Sequence, residues 1–333
     1  MKDLTIIVPV YNVQAFLKKC LDSLVNQKTT YSYEVICIND GSTDNSYDIL
    51  KSYHQLYSGL IKIISQENAG VSSARNKGIL ASNSKFISFV DADDWVGENF
   101  VQNSLHEAII NNSDIVIQDV IYMSNKTDIY SEEKINKNLF NAENHIFNKT
   151  FRLKKIVNNN ITFPEDIAIG EDMYFTFLAI MVSDKVTKIN EANYYYRIDR
   201  QGSAMKTNSI DKYLEINKVC KYLYQQSIDL ELYGSYQKQL EYLFMKNMVL
   251  RIIPKLIKVK KMKYKEIKKI IKNQFLLFKD ISFNWIENEC IVNDYENYFQ
   301  QKLGSNFIKQ LKALEEGNLI LFSYNFIVSK IRK

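Results

Sequence analysis

The first ninety residues alternate between two hydrophobic periods, and that alternation restricts the fold more than any other feature of the chain. Leu4 to Val10 is a near-continuous apolar run, as expected of a strand covered on both faces. From Val13 to Gln27 the apolar positions Val13, Phe16, Leu17, Leu21, Leu24 and Val25 recur at helical spacing. Tyr33–Asn39 reads as a second strand, followed by a helix to about Tyr57. Leu60–Ser65 is a third strand, Gly70–Ala81 a helix, and Lys85–Val90 a fourth strand. Strands alternating with helices predict a parallel α/β sheet.

In such sheets ligands bind beyond the carboxyl ends of the strands. Three strands here end in polar clusters: Tyr11-Asn12, Asp40-Gly41-Ser42 and Asp91-Ala92-Asp93-Asp94. The last places three carboxylates in four residues, a concentration of charge that a cation or solvent must compensate. Oxygen-only ligands suit Mg²⁺ or Mn²⁺, which are typically held by one or two carboxylates plus substrate phosphates. As an isolated pattern, Asp-x-Asp also serves as an acidic helix start. Two further stretches bear on chemistry. Gln66 to Asn76 brings Gly70 to the opening of a helix that presents Arg75, which suits recognition of a pyrophosphate or nucleotide. Gly170-Glu171-Asp172 puts two acids at a helix start, and a positioned carboxylate is what abstraction of a hydroxyl proton requires.

Beyond Trp95 the periodicity weakens. Ser104–Asn111 reads as a helix, Ile115–Met123 as a strand, residues 124–145 as an exposed polar loop, and His145 to Val157 as a helix. Met173–Val182 is predicted helical, with Val186–Ile189 and Asn193–Ile198 as strands. From Ile210 the period is helical nearly to the end, so a boundary is expected near residue 206. The four cysteines lie far apart without a CxxC pair, which argues against a disulfide framework or zinc site and for buried, reduced thiols. No basic-then-apolar leader opens the sequence and no apolar run reaches a membrane span's length, so a cytoplasmic protein is expected.

The net charge of +5 is local. Residues 251–272 hold ten basic residues against one acid, Glu266, interleaved with apolar ones. That basic amphipathic pattern reads as a helix for the inner membrane surface, or as a solvated helical face. No nucleic-acid-binding motif accompanies it, and no nucleic-acid partner is expected. The lack of GxGxxG excludes a dinucleotide-dependent dehydrogenase, and Pro9-Val10-Tyr11-Asn12 stands where a sugar nucleotidyltransferase carries a Gly-rich loop.

Six stretches, in order, resemble the family 2 glycosyltransferases: Ile6 to Asn12, Asn39 to Asp44, Asn68-Ala69-Gly70 with Ala74-Arg75-Asn76, Asp91 to Asp94, Gly170-Glu171-Asp172, and Tyr196-Arg197 with Arg200 to Ser203. The resemblance covers about residues 3–205. It implies a GT-A fold over residues 1–205, with a nucleotide-binding half (1–100) and an acceptor half (101–205), followed by a helical region over 206–333. It also implies an inverting transfer of one hexose or N-acetylhexosamine from a UDP-sugar to a glycan or lipid-linked glycan acceptor in bacterial surface polysaccharide synthesis. By the same resemblance, Val10, Tyr11, Asp40 and Arg75 hold uracil and ribose, with Pro9, Gly41, Asn68 and Ala92 beside them. Asp91 contacts ribose or the donor sugar. Asp93 binds Mn²⁺ or Mg²⁺, Asp172 is the general base with Glu171 beside it, and Arg200 and Ser203 close over the diphosphate. Two departures stand out. The three histidines, His54, His106 and His145, all precede Gly170, where some members supply a later metal-ligand His. The Gln-x-x-Arg-Trp signature of processive synthases is missing, which favours single-sugar transfer.

Overall fold

The computed structural model describes residues 1–124, 129–131, 144–198, 210–252, 264–282 and 284–318. The chain divides into two compact units, Met1–Asp166 with Glu171–Ser203, and Ile167–Gly170 with Ala204–Lys333.

The first unit is a nine-stranded sheet in the order β3-β2-β1-β4-β8-β6-β9-β5, with β7 paired to β6. Its first half follows the alternating periods closely. Strands β1 (Lys2–Val10), β2 (Tyr33–Asp40), β3 (Ile61–Gln66) and β4 (Ser84–Phe89) are mutually parallel. They are linked by helices α1 (Gln14–Val25), α2 (Ser46–Leu56) and α3 (Val71–Ala81). Val10 lies opposite Asn39, and the Val90 N–H donates to the Ile7 carbonyl at 3.0 Å, so β1, β2 and β4 finish along one edge. The helical stripe on α1 does what its spacing demands: Leu17, Cys20, Leu21 and Leu24 are buried against Leu4, Ile6, Val8 and Val10 of β1. Burial of that stripe, at roughly 1.5–3 kcal/mol per large side chain, is what holds α1 on the sheet.

The second half of the sheet departs from the sequence reading. The segment His145–Val157, read as a helix, is a short strand β8 (Lys149–Arg152) running straight into α5 (Leu153–Asn158). β8 is antiparallel to both β4 and β6 (Ile115–Met123), which makes the sheet mixed. Apolar residues needed on both sides of a central strand imitate helical spacing over so short a run. The two strands read at 186–189 and 193–198 are one strand, β9 (Val186–Arg197), whose register with β6 shifts around Asp119. The expected exposed loop 124–145 contains a small strand, β7 (Ile129–Ser131), while 125–128 and 132–143 lie outside the described residues. Trp95–Val96 forms β5, and α4 (Phe100–Ile110) and α6 (Glu171–Met181) complete the unit. An aromatic cluster joins β4, β8, the 160s segment and α6. Phe89 meets Phe151, Phe163 and Phe175 edge-on at centroid distances of 6.1, 5.4 and 5.6 Å, and Phe163 stacks flat on Phe175 at 4.1 Å.

The second unit is helical. Ile216–Asp229, Tyr233–Phe244 and Tyr264–Lys279 are its longer helices, and the second continues into a π-helical turn at Met245–Leu250. They bury Cys220, Leu223, Leu240, Phe244, Phe275 and Phe278. All four cysteines are buried and unbonded. Among the described residues no helix is long and apolar enough to cross a membrane.

Candidate active site

The rim beyond β1, β2 and β4 is laced together by its own polar residues. Asn12 adopts a left-handed conformation (φ 49°), and its side-chain oxygen accepts from the Thr43 and Asp44 N–H groups at 2.8 and 3.3 Å. Asp40 ends β2 and is almost fully buried. Its carboxylate accepts from the Ala69 and Gly70 N–H groups at 2.8 and 2.9 Å and from the Gln66 amide at 2.8 Å. Both oxygens are thereby engaged, and charge-assisted bonds to backbone N–H groups are the strong kind. Gly41 follows at φ +69°, where a Cβ would stand 2.8 Å from the Asn68 backbone nitrogen, so only glycine lets the two loops approach this closely. Tyr11 remains largely exposed on the rim, and Val10 is buried beneath it.

Asp40 thus fixes the start of α3, and one turn further along that helix stands Arg75. Its side chain is 4% exposed. One terminal nitrogen donates to Glu171 at 3.2 Å and Asp172 at 2.8 Å, and the other to Asp91 at 3.1 Å. The guanidinium also faces the Phe163 ring, 5.3 Å from its centroid. The neighbouring Asn76 exchanges hydrogen bonds with the Phe163 backbone at 2.7 and 2.8 Å, which holds that ring in place. One arginine therefore gathers the acids of two motifs that lie far apart in sequence. Asp91 and Asp172 keep 26% and 25% of their side-chain surface, so solvent can still touch both carboxylates.

Surrounding protein sets the protonation of these groups. Burial pushes the Asp172 carboxyl up to about 7, against the downward pull of Arg75. Burial likewise lifts Asp91 to about 6, with Arg75 pulling down and the Asp93 and Asp172 charges pushing up. Asp94 is raised to about 8 by burial and by the charges of Asp91 and Asp93. Its carboxyl is held by the Tyr194 hydroxyl at 2.9 Å and the Arg197 N–H at 2.8 Å, which makes it an anchor for the loop. Tyr194 also accepts from the Asp91 N–H at 3.1 Å, and Arg197 Nε donates to the Asp93 carbonyl at 3.0 Å. Thus β9 clamps the acidic loop from the far side of the sheet. Tyr194 is a site residue that no local pattern disclosed. The nearest signal was its place in the Tyr-rich run just before Arg197.

Asp93, like Asp91, is half-buried, and its backbone carbonyl is held by that clamp. Among the described residues no three His, Cys, Asp or Glu side chains form a ready-made metal cage. The carboxylate oxygens of Asp91–Asp94 are of the donor type that suits a hard divalent cation. Ala92 is buried, and Asn68 is exposed beside Gly41. His145 stacks on Phe147 at 4.7 Å, a packing role. Arg200 and Ser203 lie outside the described residues.

A rim of this kind, fed by parallel strands with acids gathered around an arginine, agrees with what sequence comparison returns. The model of "Glycosyl transferase family 2" matches residues 5–171, half of the chain. The chain belongs to this family. The match spans every acid just described except Asp172. This family 2 glycosyltransferase is 33% identical over 224 residues to glycosyltransferase GlyA of Streptococcus pneumoniae, covering 60% of this chain and 31% of that protein. It is 32% identical over 211 residues to the poly(ribitol-phosphate) beta-glucosyltransferase of Bacillus spizizenii, covering 61% and 33%. The matched region is thus only about a third of the length of these relatives. Among solved structures, S. aureus TarS in complex with UDP-GlcNAc superposes with a TM-score of 0.74 at 18% identity, over 99% of this chain and 92% of that one. The fold is GT-A, a mixed sheet flanked by helices, with a helical region following it.

Proposed function

We propose that this protein transfers a single sugar from a UDP-sugar to a surface-glycan acceptor with inversion at the anomeric carbon. The observation that carries the reading is the convergence of Asp91, Glu171 and Asp172 on Arg75 at the carboxyl edge of the sheet. Tyr11, Val10 and Pro9 with the Asp40–Gly41 and Asn68 loops would cradle the uridine, with Ala92 lining the floor and Asp91 at the ribose or donor sugar. A divalent cation, Mn²⁺ or Mg²⁺, would be held by Asp93 and would supply charge neutralisation on the diphosphate. Asp172 takes the proton of the acceptor hydroxyl as that oxygen bonds to the anomeric carbon. The bond from that carbon to the diphosphate oxygen breaks in line, and UDP leaves with its electron pair. Arg75 keeps Asp172 ionised and aimed, with Glu171 beside it. Arg200 and Ser203 would close over the diphosphate.

The relatives' names point to the substrate class. One acts on poly(ribitol phosphate) with a glucosyl group, another is the minor teichoic acid biosynthesis protein GgaB of Bacillus subtilis, and TarS was crystallised with UDP-GlcNAc. These names support a polyol-phosphate or related glycan acceptor and a UDP-glucose or UDP-GlcNAc donor as the reading for this chain. The described part of the 251–272 tract bears on its location. In Tyr264–Lys279 the apolar residues Ile271, Phe275 and Phe278 are buried within the helical unit, and Lys265, Lys268, Lys269 and Lys272 are exposed. Peripheral attachment to an inner membrane face would then be electrostatic, at up to ~1 kcal/mol per lysine near an anionic surface, without insertion.

The test is UDP release from a panel of UDP-sugars, with and without Mn²⁺, Mg²⁺ and chelator, in the presence of poly(ribitol phosphate). Metal-dependent release from one donor is expected. Release from none, together with no UDP binding, removes the reading.

A further inference from the structure

We infer that Arg197 and Lys19, mounted together on the Trp95 ring beside the acidic loop, form a phosphate-binding site for the transfer reaction. The class of ligand rests on the reading of this protein as a UDP-sugar transferase with a phosphate-bearing acceptor. Two phosphates are then available to the site, the diphosphate of the donor and the phosphodiester of the acceptor.

The cluster follows from the periods of two elements. Trp95 of β5 lies opposite Tyr195 of β9 in register, and the two rings stack at 5.5 Å with 5° between their planes. Arg197 is two residues beyond Tyr195 and therefore shares its face of the strand. Its guanidinium carbon stands 5.0 Å from the Trp95 centroid and 4.8 Å from that of Phe16 on α1. Lys19 is three residues after Phe16, on the same side of α1. Its Nζ lies over the Trp95 ring, 3.2 Å from the centroid. The two cations thus meet at one indole, and they can be no farther apart than their two distances from its centroid laid end to end.

Aromatic faces attract and orient a cation but leave its charge in place. Among the described residues neither side chain forms an ion pair. The neighbouring acids are engaged elsewhere, Asp91 by Arg75 at 3.1 Å, and Asp94 by the Tyr194 hydroxyl at 2.9 Å and the Arg197 backbone N–H at 2.8 Å. Arg197 Nε is committed to the Asp93 carbonyl at 3.0 Å, which fixes the plane of the fork, while its terminal nitrogens have no hydrogen-bond partner among the described residues. Lys19 is exposed and Arg197 half-buried, so both are open to a ligand. Partial burial of the ammonium against the ring, together with the Arg197 charge, holds Lys19 below the ordinary lysine value. Two like charges fixed this close are unfavourable until an anion joins them. A locked guanidinium fork beside an ammonium on a flexible stem is a donor set that suits a phosphate. The contact with the Asp93 carbonyl puts the pair at the loop proposed to hold the donor.

The test uses Lys19→Gln, Lys19→Glu and Lys19→Arg in the full chain, since an exposed residue can be exchanged without disturbing the fold, and melting temperatures check this. Binding of UDP with Mn²⁺ and binding of poly(ribitol phosphate) are measured separately by calorimetry. Lys19→Gln should weaken at least one of the two by about threefold and Lys19→Glu by about tenfold, with Lys19→Arg near wild type and the differences shrinking at high salt. Loss for the polymer alone, with its KM raised and kcat unchanged, assigns the acceptor phosphodiester. Loss for UDP assigns the donor diphosphate. Wild-type affinity for both ligands in all three variants would overturn the inference. A wild type that binds no UDP would remove the functional reading, whereas the phosphate site would then fall only if polymer binding were indifferent to Lys19.

Discussion

Arg75 and Asp172 form a 2.8 Å ion pair although 97 positions separate them in the chain. The pair joins a helix set by the Gly70 turn to one opened by Glu171-Asp172, and the same guanidinium reaches Asp91 at the end of β4. Three acids this close would repel without it, and removing one partner of a buried pair costs more than the pair contributes.

Arg75→Ala should therefore unfold more easily than wild type, by about 2–4 kcal/mol, discounted for the quarter exposure of Asp91 and Asp172. Arg75→Lys should recover part of that stability but little activity, because an ammonium lacks the fork that serves three carboxylates at once. Urea unfolding of the three proteins, with UDP-sugar turnover alongside, checks both statements. Wild-type turnover in Arg75→Lys would show that charge alone suffices.

Asp172→Asn should lower turnover by about 10²- to 10⁴-fold while leaving UDP and Mn²⁺ binding intact. Asp93→Asn should abolish turnover and weaken binding of UDP only when the cation is present. Calorimetric titration with UDP, with and without Mn²⁺, separates the two roles.

The protonation of Asp172 gives a signature in pH. Its folded value, about 7, lies above the ordinary 3.8. Activity needing the ionised form should rise through about pH 7 in kcat/KM of the wild type. The stability sign is opposite. A raised carboxyl contributes fully below pH 3.8, and that contribution is lost as pH rises through about 7. The melting temperature of Asp172→Asn should consequently gain on that of the wild type between pH 5 and pH 8, as thermal scans at the two values would reveal.

Gly41→Ala should destabilise by about 1–3 kcal/mol, because the left-handed backbone and the 2.8 Å approach to Asn68 leave no room for a Cβ. UDP affinity should fall with it, since the Asp40–Gly70 clasp frames the same rim. A variant with unchanged melting and unchanged UDP binding would contradict this account of the loop.

Phe175→Ala removes the ring that touches Phe89, Phe151 and Phe163, and a loss of about 3–5 kcal/mol is expected. Because α6 carries Asp172 one turn earlier, activity measured on the folded fraction should fall as well.

The sequence by itself determined the parallel half of the sheet, its polar rim and the identity of the acids there. Those features rest on local periodicity and on turn chemistry, which neighbouring residues dictate: Leu4 to Val90 reads as strand and helix in the order found, and Asp40-Gly41 as the turn it makes. Only the tertiary structure decided how the acids are held. The antiparallel insertion of β8 where a helix was expected, the reach of Tyr194 and Arg197 across the sheet to Asp93 and Asp94, and the sharing of Arg75 among three carboxylates are contacts between distant segments. Periodicity constrains which face of a segment is buried, but it carries no information about which distant segment that face will meet.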